Sequence, residues 1–357
     1  MTKPTHIFLG ANSAQGFYSL YDQLLSGRFD DLLILKGGPG CGKSSFMRLV
    51  AETLSAAGHT PIYIHCSGDP DSLDGVIFPA LRTALVDGTS PHALEPTYAV
   101  ACERYVDLTR FYDVERAKEK RTEMMALTDA YRAHYRDAYH ILRAADEVGA
   151  ERRASLYAHM DFAKLDRRIQ GVAVRELRGK HTGKGSVDDV FLGGMTYKGD
   201  LCRFDTVDAL CPRIYELRDS AGLANAALQM LCAMAVEGGE RVLACRNPDR
   251  PAEIQHLLLT GRGVAFVTSN ERLPYVGEAY RRIRLDAMAE ETIGRAEKAK
   301  LRFLRRVERE VRTEAVGKLA DAKRAHDALE GVCNPLVDFD GVYDLAHREA
   351  RCLLQRG

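Results

Sequence analysis

The 357-residue chain has no net charge at pH 7, with 50 basic and 50 acidic side chains. No overall field therefore draws it to nucleic acid or to a membrane surface. It also lacks any run of membrane-spanning length: its most apolar stretch, Ala224 to Val236, is interrupted by Asn225 and Gln229. The opening Met1-Thr2-Lys3-Pro4-Thr5-His6 has none of the apolar character of a secretory signal. The nine cysteines include no C-x-x-C pair and no Cys/His spacing suited to zinc. Scattered thiols in odd number fit a reducing compartment, and the cytoplasm is the expected location.

What the chain does have is a glycine-rich string, Gly37-Gly38-Pro39-Gly40-Cys41-Gly42-Lys43-Ser44, of the form G-x-x-x-x-G-K-S. Glycines let the backbone curl so that successive N–H groups point at phosphate oxygens. Lys43 is placed to reach β- and γ-phosphates, and the Ser44 hydroxyl, followed by Ser45, to ligate Mg²⁺. Context supports the motif. Asp31-Leu32-Leu33-Ile34-Leu35-Lys36 reads as a strand buried on both faces. Phe46, Leu49, Val50, Thr53, Leu54 and Ala57 then recur at helical spacing up to Gly58. Phosphates would sit on that helix's N-terminus, where free N–H groups and the dipole favour anions. Cys41 is either a reactive thiol under the phosphates' influence or a small residue at a variable loop position.

The length suggests two domains, and an internal repeat supplies them. Phe8-Leu9-Gly10 and Gly16 correspond to Phe191-Leu192-Gly193 and Gly199, and Asp22 to Asp205. Leu35 to Ser44 aligns without a gap on Leu217 to Ala226. Cys66 meets Cys245, Ala84-Leu85-Val86-Asp87 meets Ala265-Phe266-Val267-Thr268, and Asp161-Phe162 meets Asp338-Phe339. Strands alternating with helical segments in each copy predict an α/β fold of two tandem parallel-sheet domains. Long charged helical regions, about 112–148 and 287–330, close the halves, and Gly149 and Gly331 precede a shorter helix in each. The second would span roughly 65 Å unbroken, so a helical hairpin projecting from each core is expected. The expected division is 1–176, a glycine-rich linker over 177–188, and 189–357.

The two copies differ where chemistry would occur. Asp87 ends an apolar strand and is the expected Mg²⁺ carboxylate, or else an Asx turn before Gly88. The second half carries Asn225, Ala226 and Thr268 at the positions of Lys43, Ser44 and Asp87. Asp219 stands at the place of Gly37, beside a would-be polyphosphate site, where like charge disfavours binding. One working site and one pseudo-site are expected. Gly88 occupies the position where a water-orienting Glu often follows the Asp, which leaves Asp69, Asp71, Asp74, His92 and Glu95 as candidates for that role. Arg246, Arg250 and Arg262 could reach over as arginine fingers if the halves pack face to face, or be plain surface residues. The basic stretch Arg295 to Arg324 has only Phe303 as a stacking residue, which argues for a solvated helix over a nucleic-acid face.

The Gly37–Ser44 loop, Phe8-Leu9-Gly10-Ala11-Asn12, the Ala84–His92 segment with Asp-Gly-Thr-Ser-Pro-His, and Ala265 to Asn270 together resemble the P-loop NTPase superfamily. In particular the chain is similar to a little-characterised bacterial group with two P-loop ATPase-like halves in tandem. The resemblance implies ATP and Mg²⁺ binding in the first half, with Gly37 to Ser45 on the nucleotide, Lys43 and Asp87 catalytic, and Ser44 and Asp87 on the metal. With Gly88 after Asp87, a slow or partner-stimulated ATPase is the expected activity. A small-molecule or nucleotide-type kinase and a non-catalytic, nucleotide-gated scaffold that binds a protein through its helices are the alternatives.

Overall fold

The computed structural model describes residues 3–356 apart from 26, 180–182, 221 and 291–292. The first half contains β1 (Thr5–Ile7), β2 (Gly10–Ser13), β3 (Gly16–Ser19), β4 (Asp31–Lys36) and α1 (Lys43–Ala56). It continues through β5 (Ile62–His65), β6 (Leu73–Phe78), β7 (Thr83–Asp87) and β8 (Glu103–Asp107). Its helical part is α2 (Val114–Glu119), α3 (Arg121–Ala158) and α4 (Phe162–Glu176). The second half opens with β9 (Ser186–Val190), β10 (Gly193–Thr196), β11 (Gly199–Cys202), α5 (Phe204–Leu210), β12 (Arg213–Arg218) and α6 (Asn225–Glu237). There follow β13 (Arg241–Arg246), β14 (Ile254–Leu259), β15 (Val264–Ser269), β16 (Arg281–Arg284), α7 (Asp286–Glu290), α8 (Arg295–Cys333) and α9 (Phe339–Arg356).

The first sheet runs β1-β5-β6-β7-β4-β8 and the second β9-β13-β14-β15-β12-β16, the same order strand for strand. The fold is α/β in two tandem halves. β4, with Leu32 to Leu35 shielded from solvent, lies between parallel β7 and β8. Each sheet is mixed: β6 and β14 run antiparallel to both neighbours, joined by tight connections where helices were expected. Asp74 and Gly75 interrupt the apolar run of β6, which is why it does not read as a strand in sequence. The halves meet about a pseudo-twofold axis. Phe8 and its repeat counterpart Phe191 exchange reciprocal backbone hydrogen bonds of 2.8 and 2.9 Å, and β2 packs beside β10. β9 begins inside the span expected to be linker, of which residues 180–182 lie outside the described residues.

The long helices depart from expectation. Neither half keeps a hairpin of its own. α3 and α8, 38 and 39 residues, pass unbroken through Gly149 and Gly331 and pair with each other antiparallel. Ala138 and Leu142 pack on Ala315 and Leu319, and Arg152 meets Glu308 at 3.0 Å. Gly149 is buried in this crossing, where a Cβ would touch Arg153 and Glu308. The chain turns instead just before Asp161 and Asp338. The Asp161 carboxylate caps α4 by accepting the Lys164 amide, and Asp338 accepts the Gly341 amide at the start of α9.

Beyond these turns the short helices change sides. α4 buries Leu165, Ile169 and Val172 in the core of the second sheet, with Leu228 and Leu231 of α6. α9 buries Val342, Ala346, Ala350 and Leu353 against Phe46, Val50 and Leu54 of α1. Each sheet is thus covered by a helix from the other half, so the packing units are not contiguous stretches of chain. Two ion pairs repeat this reciprocity: Lys323 of α8 meets Asp69 after β5 at 3.5 Å, and Asp146 of α3 meets Arg250 after β13 at 3.8 Å. Because Leu353 fills the first half's core, Leu353→Ala should cost about 2–5 kcal/mol. A urea titration followed by circular dichroism checks this, with a lowered midpoint the expected outcome.

Candidate functional site

The loop 37–44 joins the carboxyl end of β4 to α1 at the sheet edge where parallel α/β folds bind ligands. Gly42, the residue that opens α1, has φ of +81°, a left-handed conformation that glycine adopts without steric cost. The Lys43 ammonium donates to the Gly37 and Gly38 carbonyls, both at 3.0 Å, and lies 3.6 Å from Asp87 Oδ2. β7 pairs directly with β4, opposing Leu35 to Asp87, and that register brings lysine and carboxylate together. Ser44 Oγ accepts the Leu73 amide at 3.0 Å, and a hydroxyl oxygen so engaged keeps a second lone pair. The Asx turn expected as the alternative for Asp87 is present. Its Oδ1 accepts the Thr89 amide and hydroxyl at 2.9 and 2.6 Å, while Oδ2 faces the lysine. A serine hydroxyl and one carboxylate oxygen at a phosphate-type loop are hard donors of the kind Mg²⁺ takes alongside substrate phosphates.

The second half closes over this loop. Asn334, its amide oriented to donate, reaches the Gly40 carbonyl at 2.8 Å. Phe339 and Val342 of α9 stand where a Cβ on Gly42 would point. From the first half, Tyr112 donates to the Pro39 carbonyl at 2.7 Å. Neither Asn334 nor Tyr112 was among the residues that sequence reasoning singled out, and neither lies in a motif that would flag it. Cys41 is 1% exposed and burial pushes its thiol pKa up, so it is a core residue and not a reactive one.

The candidates for orienting water fall into distinct roles. A Cβ on Gly88 would lie 2.2 Å from Ile34, so no glutamate fits there. Asp69 holds Lys323, and Asp71, exposed, holds Lys198. Glu95 is exposed and pairs with Lys36. Asp74 and His92 are buried together, with His92 Nε2 3.3 Å from Asp74 and the Tyr21 hydroxyl donating to the same carboxylate at 3.0 Å. Burial alone would lower the His92 pKa, but the Asp74 charge overrides it and the net shift is upward. Burial likewise pushes Asp74 up, yet His92 and its hydrogen bonds hold it below the usual carboxylate value. The pair therefore stabilises the fold between those limits. Its contribution is lost as pH falls through the lowered Asp74 pKa, and again as pH rises through the raised His92 pKa. Asp74→Asn should lower the His92 titration midpoint, read by NMR of labelled histidine; an unchanged midpoint would contradict the pairing.

The proposed fingers do not reach the first loop. Arg246 is bound to Asp189 at 2.7 Å, and Arg262 to Glu240 and the Glu176 and Arg178 carbonyls. Arg250 lies over the second half's own loop, where a Cβ on Gly222 would fall 2.5 Å from its Nη2. The amides of that loop are taken from within, beside a small pocket lined by Asn225, Asp249 and Arg250. Asp219, 3% exposed, accepts the Leu223 and Ala224 amides at 2.9 and 2.8 Å. Asp286 accepts the Ser220 amide at 3.0 Å. Ala224, the counterpart of Gly42, is right-handed with φ of −72°. The negative charge that the sequence placed beside the loop thus sits on loop amides. Asp219→Ala leaves two capping amides without their acceptor, a loss of about 1–3 kcal/mol that calorimetric melting would register.

Residues 19–169, which include the first loop, match the family described as Nephrocystin 3, N-terminal. The thymidylate kinase of Ruegeria pomeroyi is 33% identical over 99 residues, covering 22% of this chain and 47% of that protein. The chain therefore spans about half the length of this curated relative. No solved structure matches it. Both similarities support a P-loop NTPase-like fold. Among the described residues, no helix is long and apolar enough to cross a membrane.

Proposed function

We propose that the chain binds one Mg²⁺-nucleoside triphosphate, ATP by preference, in the loop Gly37 to Ser45, and hydrolyses it slowly. The observation that carries this reading is Lys43 facing Asp87 at the N-terminus of α1, where Ser44 follows Lys43. A triphosphate there would take the Lys43 ammonium from the Gly37 and Gly38 carbonyls and accept the loop amides. Ser44 and Asp87 would hold Mg²⁺, whose charge offsets that of the β- and γ-phosphates. The repeat units 1–176 and 189–357 contribute unequally. In the second, Asp219 and Asp286 already take loop amides, and Asn225 offers no ammonium. Slow turnover follows from Gly88, which leaves no room for a carboxylate after Asp87.

The similarity to a thymidylate kinase favours a second reading, phosphoryl transfer to a small acceptor. Phosphate release from ATP alone supports hydrolysis, and ADP formed only with an added acceptor, the γ-phosphoryl group recovered on that acceptor, supports transfer. Equilibrium dialysis with Mg²⁺ should count one ATP per chain, and Lys43→Ala should weaken binding at least about tenfold, the loss of one charge-assisted contact. Two equivalents bound, or binding that survives Lys43→Ala, would overturn the one-site reading.

A further inference from the structure

Beside the first loop lies a cavity of about 370 Å³ built from both halves. One wall is Arg110 to Asp113, which follows β8, with Arg116 of α2; the other is Pro335 to Asp338, between α8 and α9. The two segments form a short antiparallel ladder. Asp113 N donates to the Leu336 carbonyl at 2.8 Å and Asp338 N to the Phe111 carbonyl at 2.9 Å. Tyr112 is the partition between cavity and loop, with its hydroxyl on the Pro39 carbonyl. The cavity thus begins one tyrosine side chain from the loop, on the side away from Asp87.

Direction matters here. β4 lies between β7 and β8. With Lys43 and Asp87 fixing the terminal phosphates on the β7 side, a triphosphate leads its nucleoside end out over the carboxyl end of β8, where Arg110 to Asp113 stand. The lining suits a heteroaromatic base. The Arg110 guanidinium lies 4.8 Å from the centre of the Phe111 ring and offers a planar cationic face for stacking. Arg116 supplies further donors, and Asp113 and Asp338 are acceptors for exocyclic amines. We propose that this inter-half cavity is the nucleobase site, taking the purine of the nucleotide whose phosphates lie in the loop. It rests on the nucleotide reading above and adds that the second half, with no working loop, helps to read the base. The bound nucleotide then spans both halves.

Titration calorimetry in Mg²⁺ with ATP and with inorganic tripolyphosphate tests it on the full chain. Wild type should bind ATP more tightly than tripolyphosphate. Arg110→Ala, at an exposed position where folding is not at risk, should weaken ATP about tenfold and leave tripolyphosphate within about twofold. Arg110→Lys keeps the charge without the plane and should resemble the alanine variant. Equal binding of the two ligands by wild type, parallel losses in Arg110→Ala, or full rescue by lysine would overturn the base site while leaving the loop's role intact. If wild type binds neither ligand, the nucleotide reading has failed and the base site falls with it.

Discussion

The burial of α9 against α1, mirrored by α4 against α6, is the contact on which the remaining geometry depends. α1 packs on its own sheet through Leu33, Val76 and Leu85, and α9 adds the helical cover that α4, having crossed to the other sheet, does not provide. Fully burying a Leu or Val side chain is worth about 1.5–3 kcal/mol, and each exchanged helix buries several. That exchange fixes where α8 ends, and the end of α8 delivers Asn334 to the Gly40 carbonyl. Hydrophobic packing thereby sets the position of a polar contact on the phosphate-type loop. The antiparallel pairing of α3 with α8 follows as well, since both long helices must carry their successors across the axis.

The two loops treat the same electrostatic demand in opposite ways. A helix N-terminus with free amides attracts an anion. In the second half the chain meets that demand itself, through Asp219 and Asp286, and its backbone has relaxed to a right-handed conformation at Ala224. The first half retains the left-handed Gly42, with Lys43 and Asp87 set facing one another. Buried charge elsewhere is also balanced: Arg312, inside the second half's network, holds both Asp200 and Asp249. Two structurally equivalent places have therefore diverged into one whose loop amides are held by its own carboxylates and one that keeps a lysine and a carboxylate facing each other.

Much of this is legible in the sequence because the signals are local. Leu32 to Leu35 announce a buried strand, and the glycines with Lys43 and Ser44 announce the turn and helix that follow. The repeat is legible too, since collinear identities such as Phe8 with Phe191 survive in both halves, and the structure joins those two residues directly. What is not legible is which partner a face will meet. The apolar stripe of α9 predicts burial, but no periodicity distinguishes its own sheet from its neighbour's. β6 hides because Asp74 looks like a loop residue until His92 and Tyr21, distant in sequence, are seen to accompany it. Gly149 and Gly331 read as helix stops, yet neither adopts a left-handed conformation, so α3 and α8 continue through them.

The paired charges at the two crossings carry one more consequence. Lys323 faces Asp69, while at the equivalent crossing Asp146 faces Arg250, with the signs reversed. Each contact is worth at most about 1 kcal/mol by itself. Consider, however, two copies of one half trying to assemble as these unlike halves do. First halves would set Asp69 against Asp146, acid on acid, and second halves would set Arg250 against Lys323, cation on cation. The polarity that duplication left at these positions thus discriminates self from sibling. It favours pairing a first half with a second half over pairing two like halves.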